Sequence, residues 1–574
     1  MKKKIVFFFV GFLLVNNLAM SNDIVNQVRD ARNEFEVQQK REEEEKIQEL
    51  LRTELLKKEE KAKPKIRKMG EKKYEIKQLI LEGAILLDEK TKQKIASKYI
   101  DKKIGMEEIY ELVGEITNEY VERGYVTTKV TIPLDQRLAD GKLKLKVIPG
   151  TIENIIYNDL SFRDRMKIYM AFPTKKGEYL NLFELEQGVS NLNNVVYNNA
   201  KMNLVAGNKA GESIILIENK RKFSGISIGY DNLGQKSTGK EKLNLSLRTG
   251  DFIGNDSLSI SGSKNLDGDD SYKYNKSVSA SYNIPFGFWN AGVSYSYSKY
   301  LTTIPGIVKP IKSSGNSTLT SYKLSRVLGR VGQGKVSFET KLSIKSKKDF
   351  INGRKIGISS RTTSNLKNQL NYVGRLKGGN LYADLSQTMG LYEFGATKDI
   401  NTSSEAPRSD YKKYNLNVRW LKPFFVKKQY FTYEFATGAQ YSEDRLYSAD
   451  KFSLGDDVTV RGYESGVSGE NGYYVRNQLT YNLVSLISGK KSNVFTNTLG
   501  KTSLFTGIDY GMARDKENKN NSNYRSNEEL LGMETGIKYT GNYLNYKLSY
   551  SKGLYAPDYI KKSELVNFTV SVGL

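Results

Sequence analysis

Beyond Lys222 the chain alternates between apolar and polar positions, over the remaining 352 residues. In Trp289–Ser298 every odd position is apolar or aromatic and every even one small and polar. Leu243, Leu245 and Leu247 alternate with Asn244, Ser246 and Arg248, and Phe568, Val570, Val572 and Leu574 with Thr569, Ser571 and Gly573. Period two is the signature of strands with unlike faces. About sixteen such segments recur roughly every 22 residues, a spacing that suits tilted membrane-spanning strands joined by turns and loops. A soluble β-sandwich would alternate too, but its wet face carries Lys, Glu and Thr. Here that face is rich in Gly and Ser, aromatics sit at strand ends, and the last strand has no tail, as closure against the first strand requires. The pattern predicts a transmembrane antiparallel β-barrel over residues 221–574.

Ahead of it the periodicity is helical and mixed. Residues 22–72 are a charged helix and linker, with thin apolar stripes at Ile24, Val28, Ala31 and Phe35 and at Ile47, Leu50, Leu51 and Leu55, and Pro64 marking the stop. A face this narrow predicts a solvated or weakly docked arm, with plugging of the barrel lumen as the alternative. Residues 73–150 read as β-α-α-β-β, with helices over 88–100 and 105–123 and strands over 125–132 and 143–147. Residues 151–220 repeat that order, with helices near 161–171 and 182–199 and strands over 200–206 and 213–218. Two tandem α+β modules of one architecture are an internal repeat.

Residues 1–21 combine Met-Lys-Lys-Lys, an apolar block from Ile5 to Val15 and small residues Ala19 and Ser21, the composition of a cleaved secretory signal. The chain has no cysteine and no histidine. Disulfides, histidine triads, histidine bases and histidine metal sites are thereby excluded. The reading is of a non-enzyme with no cofactor and no metal. The formal charge of +25 on an exported chain points to lipid phosphates or an acidic client polypeptide, with no nucleic acid. A lysine-rich composition without any partner is the plain alternative.

The longest inter-strand stretch of the C-terminal half carries Val460, Arg461, Gly462 and Tyr463. A guanidinium between small and apolar residues suits a loop folded into an interior, where it needs a carboxylate. Asp509, in G-I-D-Y-G, offers one. Alternation sends Leu504, Ile508, Tyr510 and Met512 to lipid and Gly507, Asp509 and Gly511 to the lumen.

This order of parts resembles the two-partner secretion transporters, the haemolysin-activator family that includes ShlB, FhaC and HecB, within the superfamily shared with BamA. N-E-Y-V-E-R-G-Y-V-T-T-K-V-T-I-P and D-G-K-L-K-L-K-V-I-P-G are similar to segments of the family's first POTRA domain. G-E-Y-L-N-L-F-E-L-E-Q-G-V-S-N-L-N is similar to a segment of its second. V-R-G-Y followed by G-Y-Y-V-R-N-Q-L resembles the lumen-entering sixth loop and twelfth strand. The resemblance implies that Arg461 pairs with an inward aspartate of strand thirteen, the place of Asp509. The family often has an aromatic two residues before that aspartate, where this chain has Gly507; Phe505 sits four before it. It further implies an outer-membrane pore of a diderm bacterium, with periplasmic POTRA-like modules, that secretes a large adhesin or cytolysin. The client would meet the second module around Leu182, Leu185, Leu192 and Leu204. Outer-membrane lipids and lipopolysaccharide are expected neighbours, and periplasmic chaperones are further candidates.

Two rival classes are a BamA-like assembly factor, which usually carries more than two POTRA modules, and a passive porin or adhesin, which leaves the modules and the sixth loop unexplained. Gly225-Ile226-Ser227-Ile228-Gly229 spells a nucleophile elbow, but without a following helix or any histidine Ser227 is a lumen-wall serine. The acidic run Glu42 to Glu45 reads as a solvated helix face, and Gly466 to Gly469 as loop flexibility.

Overall fold

A computed structural model describes residues 31, 33–48, 51, 72–157, 161–195, 198–219, 224–267, 269–306, 309–400, 406–484, 498, 500–516 and 527–573. The proposed signal segment lies outside them. A helix, α1, runs over 33–48.

The first module contains β1 (Tyr74–Ile76), β2 (Gln78–Glu82), α2 (Glu89–Ala96), β3 (Lys102–Ile104), α3 (Met106–Glu122), β4 (Lys129–Thr131) and β5 (Lys142–Ile148). β5 pairs parallel with β2 and antiparallel with β4. Its alternate residues Leu143, Leu145 and Val147 face the α3 stripe Ile109, Leu112, Ile116 and Tyr120, and all seven are buried. The expected strand over 125–132 is shorter than its composition suggests. α3 ends at Gly124, whose φ is +93°, and a turn closed by Thr128 N–H to the Tyr125 carbonyl occupies the next residues.

The second module contains β6 (Thr151–Tyr157), α4 (Phe162–Ala171), α5 (Leu182–Leu192), β7 (Ala200–Ala206) and β8 (Glu212–Asn219), with β8 central in the sheet. α5 stops well before residue 199. The Asn193 side chain bonds both backbone groups of Ala200, at 2.7 and 3.1 Å, and so turns the chain into β7.

Sixteen antiparallel strands close the barrel. They run from strand 1 (Ser224–Asp231) to strand 16 (Glu564–Gly573), and strand 16 pairs with strand 1 from Thr569↔Asp231 to Gly573↔Ser227. Outward residues such as Val293, Tyr295, Tyr322, Leu504 and Ile508 stay exposed, as a lipid-facing band requires. The inward serines meet across strands: Ser261 with Ser279 at 2.7 Å, Ser263 with Ser277 at 2.9 Å. Lateral hydroxyl pairs thus satisfy a wall of small side chains without narrowing the pore.

The second module marks one end of the barrel. Lys167 of α4 forms a 2.8 Å ion pair with Asp251 in the turn after strand 2 (Lys242–Gly250), and both side chains are buried. Asn191 of α5 donates to the Gly287 carbonyl in the turn after strand 4 at 2.7 Å. The short turns therefore face the modules, and the long loops face the opposite side.

Candidate functional site in the barrel lumen

Eleven barrel strands precede the long sixth loop, which leaves strand 11 (Gln429–Tyr441) and rejoins the wall at strand 12 (Asn471–Asn482). The loop folds into the lumen through a small hairpin, Phe452–Leu454 with Val467–Gly469. Its Leu454, Val460, Tyr463 and Val467 cluster with Ala513, Leu530 and Ile560, so apolar burial holds the loop as well as charge. Asp456 shapes the approach by accepting from the backbone N–H groups of Val458 and Thr459 at 3.1 and 2.7 Å.

Arg461 ends in a two-carboxylate cage. Its Nε and Nη2 donate to the two oxygens of Asp509, on strand 13 (Thr502–Arg514), at 2.5 and 2.7 Å. Its backbone N–H donates to Asp509 Oδ2 at 3.2 Å. Nη1 donates to Glu534, on strand 14 (Glu528–Thr540), at 2.8 Å, and to Gln478 Oε1 at 2.9 Å. The side chains of Arg461 and Asp509 are 3% and 0% exposed, and Glu534 is 2% exposed. Arg476 and Lys547 add positive charge, 3.7 Å from Asp509 and 2.8 Å from Glu534. This planar fork, satisfied on both edges, is a geometry that an ammonium cannot reproduce.

Backbone space is part of the site. Gly462 has φ +99°, and a Cβ there would strike the backbone at Lys552 and Gly553. A Cβ on Gly507 would meet Arg461 Nη2, and one on Gly532 the Arg461 carbonyl. The glycine two residues before the aspartate is therefore the space that admits the guanidinium, while Phe505 lies beneath Lys547, 5.2 Å from ring centre to Nζ. The Tyr463 hydroxyl sits 2.5 Å from the carbonyls of both Leu531 and Tyr555, where the ladder between strand 14 and strand 15 (Leu544–Tyr555) slips register at Leu531 and Gly532. Sequence reasoning passed over Glu534 and Gln478. Both lie at inward positions of strands next to that of Asp509 or facing it, which is the signal that alternation offered.

The second lumen occupant is α1, in keeping with the plugging alternative; the reading as a solvated arm is corrected. The helix is not a solvated arm over its described residues. Glu34 accepts from Thr238 in the first loop at 2.6 Å, Gln38 from Ser277 at 2.9 Å, and Gln48 donates to Glu434 at 2.7 Å. Glu36 pairs with Lys345, and Glu44 with Arg419. Ile47 and Leu51 pack on Val373, Tyr382 and Leu421. A polar, basic wall receives an acidic helix without a wide apolar face, so Glu44 of the acidic run is an ion-pair partner rather than a solvated group. α1 also holds the sixth loop: Lys40 donates to Ser453 Oγ at 2.7 Å, and Arg41 grips Asp457 at 2.8 and 3.0 Å.

The four leucines proposed to meet a client are not brought together. Leu185 and Leu192 are fully buried in the core of the second module and cannot contact a client while it is folded. Leu182 is half-buried at the start of α5, its N–H donating to the Gly124 carbonyl of the first module at 2.8 Å. Leu204 alone is exposed, on β7, which pairs on one side only.

The model of the haemolysin secretion/activation protein family ShlB/FhaC/HecB matches residues 211–539. A ShlB-type POTRA model matches residues 74–150 and a second POTRA model residues 151–206. The outer membrane transporter CdiB of Dickeya dadantii (strain 3937) is 30% identical over 412 residues, 71% of this chain and 72% of the relative. The hemolysin transporter protein ShlB of Serratia marcescens is 27% identical over 436 residues, 75% of this chain and 74% of the relative. In fold the chain is similar to CdiB from Escherichia coli, with a TM-score of 0.81 at 23% identity over 95% of this chain and 98% of that one.

Proposed function

The chain belongs to the haemolysin secretion/activation family of outer-membrane transporters, and we propose that it passes one large partner exoprotein through the barrel after capture by the periplasmic modules. The observation that carries the reading is a lumen occupied by two polar elements of unequal hold, the Arg461-anchored loop and α1. A conduit needs a fixed surface that guides the client and a part that can leave.

The exoprotein is of the adhesin or cytolysin class, exported unfolded. Its first docking site is the free edge of β7. That edge offers unpaired backbone groups beside exposed Leu204 and Val205, the surface that strand addition uses. With no nucleotide available in the periplasm, folding of the client outside the cell supplies the direction. Deleting residues 151–220 is expected to abolish secretion while leaving a heat-modifiable barrel in the outer membrane. Normal secretion by that deletion overturns the docking assignment.

A further inference from the structure

Three lysines stand side by side on the outer surface of the barrel. Lys264 on strand 3 (Ser257–Asn265) is directly opposite Lys276 on strand 4 (Tyr274–Phe286), and Lys276 is directly opposite Lys299 on strand 5 (Trp289–Ile304). Their neighbours Ser263, Ser277 and Ser298 face the lumen, Ser277 reaching α1, so alternation puts the three ammonium groups outside. Each lies beyond exposed lipid-facing residues of its own strand on the side away from the modules: Ile260 below Lys264, Val278 below Lys276, Tyr295 below Lys299, with the buried pair Tyr274 and Leu301 next beyond Lys276 and Lys299. They therefore lie where the hydrocarbon band gives way to outer-leaflet headgroups.

Like charges directly opposite on adjacent strands repel, and nothing in barrel closure requires them. Among the described residues one carboxylate answers the row: Asp270, 3.6 Å from Lys264 and 3.4 Å from Lys276. Lys299 makes no ion pair among those residues and, with Lys276, lies over the Tyr274 ring, at 5.9 and 4.8 Å from its centre. Three cations and one anion leave two positive charges at one spot of the membrane surface, with the side chains of Lys264 and Lys276 51% and 45% exposed.

We propose that Lys264, Lys276 and Lys299 form a binding site for the phosphate groups of a phosphorylated glycolipid, the lipid A class of outer-leaflet lipid. A dianionic phosphate is the complement of this charge, and a glycolipid anchored by its acyl chains presents it at this depth. A phosphodiester lipid such as phosphatidylglycerol carries a single charge and would fit the row less well.

The test uses the full chain reconstituted in phosphatidylethanolamine vesicles that contain either diphosphoryl lipid A or phosphatidylglycerol. The lipid retained on the protein after detergent extraction is measured by mass spectrometry. Each ammonium near an anionic surface contributes about fivefold in binding. Lys264→Gln with Lys276→Gln and Lys299→Gln is thus expected to lower lipid A retention by at least about tenfold, allowing for incomplete additivity. Heat-modifiable migration reports that the barrel still forms. Lys422→Gln, on the outer face of strand 10 (Lys412–Val426) at the opposite rim, is expected to change nothing. Asp270→Asn removes the competing carboxylate and is expected to raise retention. Equal retention by the triple variant and the unmodified chain, equal retention of phosphatidylglycerol and lipid A, or a fall with Asp270→Asn would each overturn the assignment.

Discussion

Loop six and α1 occupy the same lumen, and both are held by charge, yet the two attachments are built differently. The loop concentrates its charge. One arginine meets two carboxylates and a glutamine in a pocket closed to solvent, above an apolar cluster. Among the described residues the helix spreads its charge over four separate ion pairs: Glu36 with Lys345, Lys40 with Asp456, Arg41 with Asp457, and Glu44 with Arg419. In the Arg41–Asp457 pair the side chains are 19% and 26% exposed, so water competes for it. Breaking a fully buried pair leaves an uncompensated charge, at a cost of about 3–5 kcal/mol. The cost falls as water reaches the pair, toward about 0.2–1 kcal/mol at full exposure. The helix pairs lie between these limits, with the Arg419 side chain 5% exposed. A concentrated, dry attachment marks a fixed element, and a distributed, wet one marks an element that can be withdrawn stepwise.

The largest effects should come from the cage. Arg461→Ala or Asp509→Ala is expected to disorder the loop and cripple secretion while the barrel still assembles; secretion assays beside heat-modifiable migration read both. Arg461→Lys should rescue poorly, because the fork and not the charge alone fills the cage. The swap of Arg461→Asp with Asp509→Arg should restore only part of the function, since the new carboxylate at 461 faces Glu534. Full restoration would mean that Glu534 is dispensable.

Gly532→Ala comes next. Its methyl group collides with the Arg461 carbonyl, so the loop must shift although every charge is kept. Secretion should fall with little change in thermal stability of the barrel, and normal secretion would show that the loop has slack.

Weaker still is the tie between the two occupants. A double-mutant cycle of Arg41→Ala and Asp457→Ala, read as thermal stability, should give a coupling on the order of 1 kcal/mol or less. A coupling as large as that of Arg461 with Asp509 would show that the two occupants are held equally firmly.

Removing residues 22–48 leaves every strand of the wall in place. The barrel should still assemble and show heat-modifiable migration, while single-channel conductance rises as the lumen empties. Unchanged conductance would show that α1 does not obstruct the pore.

Alternation is a local property, and it was legible: the side of the wall on which Leu504, Ile508 and Asp509 lie follows from period two alone. The Arg-Gly-Tyr composition of the sixth loop likewise announced a buried guanidinium, because such a group is costly without a carboxylate. Only the closed barrel decided which further groups converge on it. Glu534 and Gln478 reach Arg461 because strand register and closure bring three inward positions to one point, a relation no local pattern encodes. The same holds for Gly507, whose missing side chain acquires meaning when Arg461 arrives beside it. Leu185 and Leu192 resembled a docking stripe in sequence, yet an apolar stripe is equally the mark of a core, and the sheet of the second module covers it. The helix was ranked first as an arm, with plugging only as the alternative, for the opposite reason. A narrow apolar face excludes burial in an apolar core but permits it in a polar one, and the basic lumen wall that receives Glu36 and Glu44 exists only once distant strands have closed around them.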